Sequence, residues 1–92
     1  MPELSIPVEN EVGLHARPAA DFVKLASSFS CDIMVKNLST DSDFVNAKSI
    51  LSVLTLGVER GHTILVAATG DAAQEALTAL KDLVDSNFGE RS

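Results

Sequence analysis

Tryptophan and tyrosine are absent from this chain of 92 residues, and four phenylalanines supply all its aromatic side chains. The usual stacking platforms for bases and sugar rings are therefore missing. Basic residues are scarce: seven Lys and Arg stand against 13 Asp and Glu, for a formal net charge of −6. That balance argues against nucleic acid and anionic membrane surfaces as main partners. A single cysteine, Cys31, leaves no internal disulfide and fits a reducing compartment. The opening Met-Pro-Glu-Leu-Ser holds no basic region followed by a long apolar run, so neither a secretion signal nor membrane insertion is expected. His15, Cys31 and His62 show no ligand spacing, so no metal is expected. The length gives one domain, 1–92, without room for a cavity walled on all sides. This weighs against a self-contained metabolic enzyme.

What the chain has is a 46% apolar share arranged in clear periods. Leu4, Ile6 and Val8 alternate with Glu3, Ser5, Pro7 and Glu9, which predicts a half-buried strand. Pro7 lacks an N–H and places that strand at a sheet edge. Ala19, Phe22, Val23, Ala26 and Phe29 form one stripe of a helix from Pro18 to about Phe29, with Ala20 off the stripe. Cys31 to Lys36 reads as a second strand, Asn37 to Asp43 as a loop, and Phe44 to Asn46 as a short third strand. Ser49 to Leu56 reads as a short helix with Ser49 as N-cap and Gly57 as stop. Val53 and Leu56 are expected to turn inward, leaving Ile50, Leu51 and Leu54 as an apolar patch suited to docking. His62 to Thr69 predicts a fourth strand that begins with His62 in solvent. Asp71-Ala-Ala-Gln74 resembles a capping box. It opens a helix to about Ser86, buried through Ala73, Ala76, Leu77, Leu80 and Val84, with Phe88 extending the stripe. The order β-α-β-β-α-β-α makes the chain α+β, with an antiparallel sheet carrying helices on one face.

The chemistry concentrates in Gly13-Leu14-His15-Ala16-Arg17-Pro18-Ala19-Ala20. Gly13 permits a sharp turn, and Pro18 suits the first turn of a helix. No Ser, Thr, Asp or Asn stands between Gly13 and Asp21 to cap that helix. Its free N–H groups and partial positive charge suit an anion, and Arg17 adds a fixed cation. An imidazole beside both makes a plausible seat for a phosphoryl group on His15. Ser49 is accounted for as an N-cap, and Cys31 as a small apolar core residue.

Gly13-Leu14-His15-Ala16-Arg17-Pro18-Ala19 resembles the active-site signature of the HPr family, the histidine phosphocarriers of the bacterial phosphoenolpyruvate-dependent phosphotransferase system. Val45-Asn46-Ala47-Lys48-Ser49-Ile50-Leu51, followed by Leu54-Thr55-Leu56-Gly57 and Gly61, resembles the family's second signature, around its regulatory serine. The resemblance covers essentially the whole chain. It implies an open-faced β-sandwich: a four-stranded antiparallel sheet with three helices on one face. It implies a cytoplasmic carrier that is not itself an enzyme and binds no cofactor. His15 would take a phosphoryl group on Nδ1 from enzyme I and pass it to a sugar-specific IIA protein or domain, with Arg17 steadying the phosphate. A neutral imidazole is needed for that attack, and a helix N-terminus favours the neutral form. Docking is implied at Ala16, Ala20, Ile50, Leu51 and Leu54, and phosphorylation of Ser49 by HPr kinase/phosphorylase would put negative charge on that face. The Asn37–Asp43 loop looks a few residues longer than in many relatives. The tail Asp85-Ser-Asn-Phe-Gly-Glu and Ala67-Ala68-Thr69-Gly70 resemble the nitrogen-related NPr branch, which stays open beside the sugar branch. A regulatory binding module working through the Ser49 face is the rival from another class. A small-ligand-binding α/β-sandwich is a more distant one, with no polar pocket readable.

Overall fold

Alternation along the strands decides which face of the sheet is covered. The computed structural model describes residues 2–86 and Phe88. Its elements run β1 (Glu3–Pro7), α1 (Ala16–Ser27), β2 (Asp32–Asn37), β3 (Val45–Asn46), α2 (Ile50–Leu54), β4 (Thr63–Thr69) and α3 (Ala73–Asp85). The strands form one antiparallel sheet in the order β1-β4-β2-β3, so β1 lies at an edge as Pro7 requires. Ile6 stands opposite Ile64, Val66 opposite Val35, and Ala68 opposite Ile33. Those side chains share one face of the pleat and are all buried.

Helices cover that face. α1 supplies Ala19, Phe22 and Ala26, and α3 supplies Ala76, Leu77, Leu80 and Val84. Val53 is the buried residue of α2, which packs against α1. Cys31 joins the core as a free thiol. The fold class is therefore the open-faced α+β sandwich read from the chain.

Local boundaries differ from the expectations in instructive ways. α1 begins at Ala16 rather than Pro18 and ends at Ser27. β3 is two residues long, and Phe44 lies outside it. There the Phe44 ring takes up the Lys36 ammonium, 5.1 Å from its centroid. The capping box at Asp71–Gln74 does not form. Ala72 is the N-cap of α3, in a left-handed conformation with φ 62° and no side-chain cap. Gly70, at φ 113°, lets the chain turn sharply off β4, so the backbone enters the helix one residue past Asp71. Phe88 extends the buried stripe at 8% exposure. In the tail motif, Asn87, Gly89 and Glu90 lie outside the described residues.

Phe22 is the largest fully buried side chain and is held between the helices and the sheet. Phe22→Ala should lower the unfolding free energy by about 3–5 kcal/mol, read as a shift in the urea midpoint.

Candidate functional site

The histidine loop is shaped by a close approach of two backbones. Gly13 takes φ 65°, and a Cβ there would lie 2.2 Å from the Val58 carbonyl oxygen and 2.8 Å from Glu59 Cα. Only glycine permits that approach. The Leu14 N–H donates to the same Val58 oxygen at 3.0 Å. Asn10, 3% exposed, donates from Nδ2 to the Gly13 carbonyl at 2.9 Å, and its own carbonyl accepts from the Gly13 N–H at 3.2 Å. Leu14 is fully buried beneath the loop. His15 emerges as the N-cap of α1 with extended φ −125° and ψ 159°. Ala16 follows at φ 52°, a left-handed conformation that costs a non-glycine residue about 1–2 kcal/mol. The anchored loop on one side and the packed helix on the other hold it there.

α1 starts with no side-chain cap and no acidic residue in its first turn. The positive end of its dipole is therefore left open to an anion. Arg17 is exposed in that turn and pairs with no carboxylate among the described residues. The two nitrogens of His15 differ. Nε2 is enclosed and makes no hydrogen bond, with Glu59 Oε2 3.4 Å away. Nδ1 makes no hydrogen bond among the described residues. The His15 side chain is 36% exposed, and with Nε2 enclosed that exposure falls on the rest of the ring, at the start of α1.

Ala16 and Ala20 are exposed on α1, and α2 packs alongside. Ile50 and Leu54 are each 38% exposed and Leu51 74%, while Val53 and Leu56 turn inward. That division is the one expected from the apolar surplus. Ser49 is the N-cap of α2, and its Oγ accepts from the Ser52 N–H at 3.4 Å. Val12, 45% exposed just before Gly13, adds an apolar residue that the sequence reading passed over.

His62 does not merely stand in solvent. Its Nδ1 accepts from the Glu59 N–H at 3.1 Å and lies 3.1 Å from Asn37 Nδ2. Asn37 is fully buried at the end of β2 and also donates to the Leu56 carbonyl at 3.2 Å. These bonds brace the 57–62 connection that carries Glu59 toward His15. Spacing gave no signal for Glu59, because it reaches the histidine across the fold. Within the Asn37–Asp43 loop, Asn37 accepts from the Ser39 N–H at 3.0 Å, and its own N–H donates to Ser42 Oγ at 2.8 Å.

The sheet, its one-sided helical cover and the presented imidazole define a class of small open-faced domains that expose one histidine at a helix start. The family model described as "PTS HPr component phosphorylation site" matches residues 3–86. The chain belongs to the HPr family of phosphocarriers. It is 37% identical to the phosphocarrier protein HPr of Pseudomonas aeruginosa over 90 residues, 98% of each chain. It is also 37% identical over 83 residues to the multiphosphoryl transfer protein of Haemophilus influenzae, covering 90% of this chain but 17% of that one. This chain spans between 17% and 22% of the length of such multiphosphoryl transfer proteins. The crystal structure of HPr-C-His from Thermoanaerobacter tengcongensis superposes with a TM-score of 0.93 at 48% identity, covering 100% of both chains.

Gly13 and Gly57 have nearly the same φ, 65° and 59°, but nothing lies within 4 Å of a Cβ built at Gly57. Gly57→Ala should therefore cost only the left-handed conformation, about 1–2 kcal/mol. Gly13→Ala must also push the 58–59 backbone away and should cost about 3 kcal/mol or more. Paired denaturation curves measure both, and only Gly13→Ala should shift the ring resonances of His15.

Proposed function

We propose that this protein carries a phosphoryl group on Nδ1 of His15, as a shuttled substrate of other enzymes rather than an enzyme. The observation that carries this reading is a partly exposed imidazole at the uncapped start of α1, with its Nε2 enclosed. The Nδ1 lone pair attacks phosphorus, and the bond from phosphorus to the donor breaks with its electron pair leaving on the donor. Transfer of this kind asks for positioning and charge stabilisation. The first-turn N–H groups and Arg17 supply the latter through charge-assisted hydrogen bonds to the phosphoryl oxygens. The donor is enzyme I of the phosphotransferase system, and the acceptor is a IIA protein or domain. Both dock on the face formed by Ala16, Ala20, Ile50, Leu51 and Leu54, which explains why three large apolar side chains stay exposed there. The compartment is the cytoplasm. No described helix is long and apolar enough to cross a membrane.

Ser49 favours a second, compatible role. It heads α2 beside Leu51 and is half-buried. A phosphate added there by HPr kinase/phosphorylase would bring about two negative charges to the docking face and oppose binding.

Purified protein incubated with enzyme I and phosphoenolpyruvate should become labelled in an acid-labile, alkali-stable form. His15→Ala should abolish the label, and Arg17→Ala should slow transfer roughly ten- to hundredfold. Leu51→Asp should raise KM more than it lowers kcat, because it removes docking surface distant from the reacting nitrogen. Running sugar-type and nitrogen-type enzyme I side by side assigns the branch. Labelling by neither would favour the regulatory-module reading.

A further inference from the structure

The carrier reading uses Nδ1 of His15 and leaves Nε2 unassigned. Nε2 is enclosed, so water cannot serve it, and the carboxylate near it among the described residues is Glu59, with Oε2 3.4 Å away. A proton on Nε2 lies within charge-attraction distance of that carboxylate, although the two are not aligned as a hydrogen bond. A proton on Nδ1 instead would turn the Nε2 lone pair onto a carboxylate, setting acceptor against acceptor. Glu59 therefore discriminates between the two neutral forms of the ring. Resting on the carrier reading, we propose that Glu59 is a positioning residue: it holds the proton on Nε2, keeps the Nδ1 lone pair free to attack, and faces the positive charge the ring acquires once Nδ1 is bonded to phosphorus.

The position of Glu59 is fixed by more than its own side chain. The absent Cβ of Gly13 admits Glu59 Cα, and the Leu14–Val58 hydrogen bond ties the preceding residue. Its own N–H donates to His62 Nδ1 at 3.1 Å. The loop closes onto Val8, the residue after β1, through Gly61 N–H to the Val8 carbonyl and Val8 N–H to the His62 carbonyl, each at 2.8 Å. These bonds fix where the Glu59 side chain leaves the backbone. Balance also favours the assignment. When Nδ1 forms its bond to phosphorus, the ring becomes cationic if Nε2 keeps its proton, and no proton leaves the carrier in either direction of transfer. A carboxylate at Nε2 stabilises that cation. Its side chain is 63% exposed, so solvent screens the pair and the effect is modest.

The experiment compares wild type, Glu59→Gln and Glu59→Ala by nitrogen NMR of the unphosphorylated His15 ring and by the rate of phosphoryl transfer from enzyme I. Glu59→Gln offers Nε2 either an acceptor or a donor, so it should weaken the tautomer preference, while losing the counter-charge and slowing transfer about two- to fivefold. Glu59→Ala should do both: raise the Nδ1–H population and slow transfer by at least as much. Thermal unfolding of all three proteins should coincide, since the substituted side chain is largely exposed. An unchanged ring tautomer in Glu59→Ala overturns the proposal, whether or not the protein is labelled. A wild type labelled on His15 with equal rates in all three proteins overturns the counter-charge and leaves the carrier reading standing. Failure of wild type to accept phosphate at His15 removes the carrier reading, and the tautomer comparison still decides the contact.

Discussion

The site depends on the approach of the Gly13 backbone to Val58 and Glu59. One missing methyl group at Gly13 lets Val58 accept from the Leu14 N–H. That bond locks the buried Leu14 and sets the direction in which His15 leaves the loop. The left-handed Ala16 and the uncapped start of α1 follow from the same turn. The strain is tolerable because both flanks are anchored in the core, by Leu14 on one side and by Pro18, Ala19 and Phe22 on the other. A small domain can carry such a feature only where burial nearby compensates, since its total stability is about 5–15 kcal/mol.

The molecule divides its labour between a packed layer and a thin functional rim. Strand alternation and two long helices place the apolar side chains between sheet and cover, and there the interior is filled. The short helix α2 follows another rule. Five residues cannot bury Ile50, Leu51, Val53 and Leu54 together, so only Val53 goes in. What is surplus for folding is thereby available for association. Elsewhere α3 exposes Gln74, Glu75, Thr78 and Asp82 and carries a Lys81–Asp85 pair. That pair raises the Lys81 pKa through its hydrogen bond and charge interaction with Asp85, and it bears on nothing at the site.

The legible parts of the sequence were those whose cause is local. The Pro7 edge strand, the Ser49 cap, the inward turn of Val53 and the α3 stripe each follow from neighbours a few residues away. The His15 loop was legible as a motif, though not the reason for its glycine. The misreadings share a different origin. Asp71-x-x-Gln74 has the letters of a capping box, but Gly70 and Ala72 carry the chain into α3 through positive φ and shift the cap past Asp71. His62 looked like a solvated strand end because its partner Asn37 lies on β2. Glu59 looked like one more acidic loop residue. Its meaning comes from tertiary placement alone, since nothing in its immediate neighbours points toward the histidine.

A carrier faces a constraint that an enzyme does not. The group it accepts must leave again with comparable ease, so any contact that strongly favours the loaded form lowers the rate of unloading. Weak, solvent-screened contacts suit that requirement. On the proposed reading, Arg17 is exposed, Glu59 is 63% exposed, and the anion seat is made of backbone dipoles rather than a closed cage. Each helps the phosphoryl group by a modest amount, and none encloses it. A docked partner can then exclude water and complete the stabilisation on either side of the transfer. The open site is therefore consistent with the proposed chemistry. On that reading, a deeper pocket around His15 would hold the phosphate too well to pass it on.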